Sequence, residues 1–312
     1  MPRLLRFIPP GGALVEVTTR TFQGRFLLTP GPALNRIIVG ALARASRRYE
    51  VKVVAAACVS NHFHLAVWVE DADQLAGFMT LFNSKLAREV ARLTGWTDKV
   101  WSRRYQAIVV SQEEGAQVDR LRYILAHGCK EGLVARVSEW PGVHAAPAIL
   151  AGTPLEGVWH DRTREYQARI QGKEFCPEEY AEAEVLSFSP LPCWAHLSSE
   201  EYRARVERLV EEIEAEAAAQ AVGSGREPLG VEAVRRQERT ARPNRIKKAA
   251  APRFHAFTKK VRLELYQAYS WFASSFREAA EKWRAGDRGA LFPAGCFPPG
   301  LPFVREGLAQ AA

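Results

Sequence analysis

Strand-like and helix-like runs of apolar residues alternate through the first half of the chain. Residues Ala13–Arg20 (ALVEVTTR) follow a Gly-Gly pair and are rich in β-branched side chains, which predicts a strand. Residues 51–59, 62–70 and 105–111 predict three more, with Ser60-Asn61 at the bend between the second and third. Pro32–Tyr49 keeps apolar residues at helical spacing and closes with Arg44, Arg47 and Arg48, which suit the negative end of a helix dipole. Ala72–Thr94 reads as a long amphipathic helix and 114–128 as a further one. The sum predicts an α+β fold, with helices packed on a mainly antiparallel sheet. No internal repeat is present.

After about residue 150 the pattern changes. Residues 151–196 are broken by Gly and Pro. Residues 198–220 open with a Ser198-x-x-Glu201 capping box and predict a helix. VGSGREPLG (222–230) reads as a linker, and 258–283 as a helix with Val261, Leu265, Tyr269, Phe272 and Phe276 on one face. A Pro/Gly-rich tail (LFPAGCFPPGLPF) predicts loop. The division expected is a catalytic unit over 1–150 and a charged, mainly helical extension over 151–312, with nothing in the extension that suggests catalysis.

Composition narrows the setting. A chain of 312 residues, 47% hydrophobic and 25% charged, is ordinary for a soluble globular protein. No apolar run reaches the roughly 18–20 residues of a membrane helix, and prolines and glycines interrupt MPRLLRFIPPGG before any signal-peptide core. No membrane partner is expected. The five cysteines (58, 129, 176, 193, 296) are scattered and include no CxxC, which argues against a disulfide framework or a Cys-based zinc site and favours a reducing cytoplasm. Charge is unevenly spread. Residues 1–150 hold 19 Lys and Arg against 12 Asp and Glu, 151–234 hold 8 against 17, and 235–262 hold 11 against 1. A basic first half and a short, intensely basic segment suit a polyanion partner, although basic surfaces also serve solubility.

The candidate chemistry begins at VSNHFHLAVWV. Side chains alternate along a strand, so His62 and His64 share one face, opposite Phe63 and Leu65. In LRYILAH, Tyr123 and His127 are four apart and share a helix face. If that face lies against the strand, three imidazoles converge with a phenol one turn away. This is an arrangement for metal-assisted attack on a phosphodiester, the cation neutralising a phosphate oxygen. A phenol of ordinary pKa, about 10, needs such help to act as a nucleophile at neutral pH.

SNHFHL, a long following helix, WSRRYQA, YILAHGCKEGLV and EWPG together resemble the single-tyrosine HUH transposases, in particular the REP-associated tyrosine transposases, over about residues 10–150. The resemblance implies a ferredoxin-like α+β sheet. It also implies a nickase and strand transferase that cuts single-stranded DNA beside hairpin repeats through a 5′-phosphotyrosine. It assigns Tyr123 as nucleophile and His62 and His64 as ligands of Mg²⁺ or Mn²⁺. His127 takes the third ligand position, where relatives often carry Asn or Gln. That departure favours a softer metal such as Mn²⁺. Whether the site is built within one chain or across a homodimer stays open.

Other readings accompany these. Tyr105 is the rival nucleophile, read instead as packing at a strand start. Trp101, Arg103 and Arg104 suit stacking and backbone contact with DNA, or a plain surface loop. Lys85 and Arg88 on the long helix, Arg120 and Arg122 beside the tyrosine, and Lys247 and Lys248 in the basic segment complete the expected DNA contacts. Asn61 is read as closing a turn and Cys129 as a small buried residue. The competing function is a non-catalytic protein that holds hairpin DNA without cutting it. A replication initiator is disfavoured because no GxxxxGK[ST] loop is present, and a histidine-triad hydrolase because Ala66 occupies the next alternating position.

Overall fold

A computed structural model describes residues 5–172, 176–244 and 252–300. In chain order the elements are β1 (Ala13–Arg20), α1 (Pro32–Tyr49), β2 (Lys52–Val59), β3 (His62–Val69), α2 (Ala72–Thr94), β4 (Gln106–Val110) and α3 (Glu114–Leu125). They are followed by α4 (Ala145–Ala151), β5 (Leu155–His160), α5 (Arg162–Ile170), β6 (Ala181–Leu186), α6 (Ser199–Ser224), α7 (Val231–Arg235), β7 (Phe254–His255) and α8 (Lys259–Arg284).

The main sheet runs β2-β3-β1-β4-β7. Its first four strands are mutually antiparallel and follow a β-α-β-β-α-β order, the ferredoxin-like layout. Both faces are buried, which explains why β2 (KVVAAACV) is almost uninterrupted in apolar residues. Val15, Val17, Phe63, Leu65 and Val67 face one way and pack with Ile38 and Leu42 of α1 and Phe78 and Phe82 of α2. Leu14 and Ala66 face the other way and pack with Leu121 and Ile124 of α3, Ile149 of α4 and Val206, Leu209 and Ile213 of α6. The helix after residue 198 therefore roofs the second face of the sheet. Its capping box forms as the sequence implies: Ser198 Oγ accepts from Glu201 N–H, and the Glu201 carboxylate accepts from Ser198 N–H at 2.8 Å.

Two short elements fasten the later residues to the first half. β7 pairs in parallel with β4 at the sheet edge, Phe254 opposite Val109 and His255 opposite Val110. Phe254 is buried in an aromatic group with Phe7 and Tyr269. Just beyond, the Glu113 carboxylate accepts hydrogen bonds from the N–H groups of Phe257 (2.9 Å) and Thr258 (3.1 Å), joining the start of α3 to the start of α8. The β5–β6 hairpin lies on α1, and there two glycines bring backbone against backbone. A Cβ on Gly40 would collide with the Val158 backbone, and one on Gly157 with the Gly40 backbone. Arg44 and Arg47 at the end of α1 are ion-paired with Glu184 of the hairpin.

Gly40→Ala should therefore cost roughly 1–3 kcal/mol, the usual penalty for overfilling a packed contact, read as a lower urea midpoint at unchanged slope. A second expected outcome concerns His144, fully buried at the start of α4, where its Nδ1 accepts from Ala146 N–H. Burial pulls its pKa down to about 4. The unfolded chain takes up a proton near pH 6.5 and the folded chain does not. Stability from this group is thus present above pH 6.5 and lost as pH falls towards 4, amounting to about 3 kcal/mol. His144→Asn, which keeps a capping side chain but does not titrate, should flatten the fall of the thermal midpoint between pH 7 and pH 5.

Candidate active site and metal centre

Strand parity builds the site. Register places His64 opposite Thr18 and His62 opposite Arg20, so the even-numbered residues of β1 and β3 point together towards α3. α3 supplies Tyr123 from its last turn. The helix stops at Leu125, three residues earlier than the sequence pattern implies, and His127 comes from the turn beyond it. There the His127 N–H donates to Ile124 O at 3.2 Å, and Gly128 leaves the turn at φ +95°. A Cβ on Gly128 would press on Trp140 and Val134.

The three imidazoles converge. Ring centroids lie 5.2 Å apart for His62 and His64, 4.2 Å for His64 and His127, and 5.7 Å for His62 and His127. One ligand nitrogen from each falls within 4.8 Å of the others. Each ring also has an acceptor for its Nδ1–H: Asn61 Oδ1 at 2.7 Å for His62, Glu16 Oε1 at 2.7 Å for His64 and Ile124 O at 3.0 Å for His127. The Asn61 amide is itself oriented, because its Nδ2 donates to Gly24 O. With Nδ1–H committed in this way, the Nε2 lone pairs face the centre of the cluster, that of His64 also lying 3.4 Å from Thr18 Oγ1.

Electrostatics favour the same outcome. Burial, reinforced by neighbouring positive charge, holds His62 and His127 well below the ordinary imidazole pKa. Burial also lowers His64, opposed by the Glu16 carboxylate. Glu16 is itself buried, and burial raises its pKa, but the hydrogen bond from His64 and the charge of Arg120, whose Nη1 is 2.9 Å from Oε2, outweigh that and keep it ionised. Three neutral imidazoles with one second-row carboxylate fit a divalent metal. Their all-nitrogen donor set is better matched to a transition metal than to Mg²⁺, which prefers oxygen.

Tyr123 borders this cluster, its ring centroid 5.5 Å from His64 and 5.1 Å from His127. Lys130 Nζ lies 3.3 Å from the ring centre and donates to Tyr123 O, and the Arg120 guanidinium lies 4.7 Å from the ring. Burial, with the Glu16 charge, raises the phenol pKa, so the hydroxyl is protonated at neutral pH. Burial draws Lys130 down to about 8.

The remaining expected contacts are placed less uniformly. Arg120 is engaged by Glu16, and Arg122 by Glu212 and Glu216 of α6. Lys85 is buried on α2, across the sheet from the histidines, paired with Glu89 at 3.0 Å and donating to His160 O. Its ammonium is thus spent inside the protein. Arg88 is exposed on the same helix. Trp101 packs edge-on to Phe63, with its Nε1 donating to Asn83 O, and so faces the core. Arg103 and Arg104 are exposed. Tyr105 packs against the α1–α2 side, and burial raises its pKa to about 12. Lys247 and Lys248 lie outside the described residues. Glu16, Asn61 and Lys130 were not anticipated as site residues. The available signal for Glu16 was a lone acid in an apolar strand, at the same parity as Thr18 and Arg20.

Residues 33–126 match the family described as IS200-like transposase, a span that holds His62, His64 and Tyr123 and stops one residue short of His127. Over those residues the chain is similar to IS200-like transposases. Among solved structures, a REP-associated tyrosine transposase bound to a REP hairpin is 18% identical, with 48% of this chain and 86% of that one covered at a TM-score of 0.38. A candidate transposase from Deinococcus radiodurans R1 is 14% identical, with 39% and 95% covered at a TM-score of 0.28. No curated protein matches the chain. No described helix of the protein is long and apolar enough to cross a membrane.

Calorimetric titration of the metal-free protein with Mn²⁺ should show one site per chain that His64→Ala abolishes. Glu16→Gln keeps the shape but removes the charge behind His64, and should weaken Mn²⁺ binding roughly 10–100-fold.

Proposed function

We propose that this protein is a transposase, a metal-dependent nickase and strand transferase of single-stranded DNA working beside hairpin repeats through a 5′-phosphotyrosine on Tyr123. The observation that carries the reading is the placement of the Tyr123 phenol against the three-histidine cluster within one chain. The hairpin preference rests on the resemblance of the quoted motifs to REP-associated tyrosine transposases. Residues 1–150 supply the chemistry, and the described residues after 150 act as an extension that roofs and braces them.

His62, His64 and His127 would hold the cation, with Mn²⁺ favoured over Mg²⁺ by the third imidazole. When bound, it neutralises a phosphate oxygen and eases ionisation of the nearby phenol. Tyr123 Oη attacks phosphorus as the bond to the 3′-oxygen breaks, and the proton lost by the phenol is balanced by the one gained at the departing 3′-hydroxyl. Arg120 and Lys130, stacked on the ring, favour the anionic oxygen. The adduct retains the energy of the phosphodiester, so a second 3′-hydroxyl can reverse the step without a triphosphate.

The test is a denaturing gel with hairpin-bearing single-stranded DNA. A protease-sensitive shifted band is expected with Mn²⁺, and none with chelator or in Tyr123→Phe. Hairpin binding with no adduct on several substrates and both metals would instead establish a non-catalytic DNA-binding protein. An adduct surviving Tyr123→Phe would rule out Tyr123 as the nucleophile.

A further inference from the structure

A second arginine borders the histidine cluster besides Arg120. Arg20 is the last residue of β1, its Cα partner across the ladder is His62, and its parity is that of Glu16 and Thr18. Its side chain therefore lies on the histidine side of the sheet, half-exposed where Glu16 is buried. The backbone beneath it is tied on both sides: Arg20 O accepts from Ser102 N–H at 3.0 Å, and Thr21 N–H donates to Asn61 O at 2.9 Å.

What distinguishes Arg20 is what it does not touch. Arg120 is spent on Glu16, Arg122 on Glu216, and Lys130 on the Tyr123 ring and carbonyl. Among the described residues no carboxylate pairs with Arg20. A cation fixed by a strand, open to solvent and lacking a counter-ion beside a metal cluster and a nucleophile is arranged to take an anion from outside.

We propose that Arg20 binds the DNA phosphodiester in this site, its guanidinium holding a non-bridging oxygen from the His62 side. The proposal rests on the nickase reading above for the identity of the phosphate as the scissile one. A planar fork of N–H donors suits two phosphate oxygens, which a lysine ammonium cannot match. As Tyr123 attacks, negative charge accumulates on those oxygens, and a donor already in place stabilises it without reorganisation.

The experiment has two arms, both on the full, Mn²⁺-loaded chain. In the Tyr123→Phe background, affinity is measured for the dinucleotide thymidylyl-(3′→5′)-thymidine, which carries a single phosphodiester. Arg20→Ala and Arg20→Gln should weaken it roughly tenfold or more and leave Mn²⁺ affinity unchanged, with Arg20→Lys intermediate. With Tyr123 intact, single-turnover adduct formation should fall roughly 100–1,000-fold in Arg20→Ala and recover in part in Arg20→Lys. Unchanged dinucleotide affinity would overturn the proposal, as would a loss of phosphate binding that merely follows a loss of Mn²⁺. If wild type forms no adduct but Arg20 still governs dinucleotide binding, the nickase reading fails and the phosphate site stands.

Discussion

One buried carboxylate organises this molecule. Glu16 sits in the middle of β1, gives one oxygen to His64 Nδ1 and the other to Arg120, and is almost wholly removed from water. An unpaired charge at that depth would be prohibitive, so the two partners are obligatory. Through His64 it orients a ring of the metal cluster. Through Arg120 it fixes a cation on the face of Tyr123. The strand, the cluster and α3 are thus held by the same group, and the central strand can carry an acid only because both partners arrive from elsewhere in the fold.

Much of this was legible in the chain. The four strands and three helices of the first half fall where the apolar pattern places them, because a sheet buried on both faces leaves long apolar runs. His62, His64, Tyr123 and His127 were visible as a set because strand parity and helical spacing constrain their directions. Their accessory residues were not. Glu16, Asn61 and Lys130 matter through contacts between segments distant in sequence or across a turn, and periodicity says nothing about who meets whom. The same gap misplaced Lys85 and Trp101. Each looks like a surface cation or aromatic in one dimension, yet Lys85 is neutralised by Glu89 and Trp101 is packed on Phe63. β5 and β6 were hidden for another reason. Their hairpin seats on α1 through Gly40 and Gly157, and glycines read locally as breaks.

The later residues change meaning in three dimensions. Read along the chain they form a charged appendage. In the fold, α6 supplies Tyr202, Val206, Leu209 and Ile213 to the second core, and β7 completes the sheet edge beyond β4. The acidic character of α6 also finds a use, since Glu212 and Glu216 engage Arg122, the residue just before Tyr123. A helix that would repel a polyanion is turned instead towards a cation of the protein's own.

The turn after α3 has a mechanical consequence. His127 is carried by a tight turn that Gly128 closes, and not by the helix that carries Tyr123, so the two side chains belong to separate structural parts. Trp140, whose indole also donates to Cys58 O, stands behind that turn as a fixed stop. In the function proposed above, the attacking oxygen is positioned by α3 and the third ligand by a turn seated on the Trp140 indole. Reach and grip come from different parts, as in a tool whose blade and clamp share a frame but not a spindle.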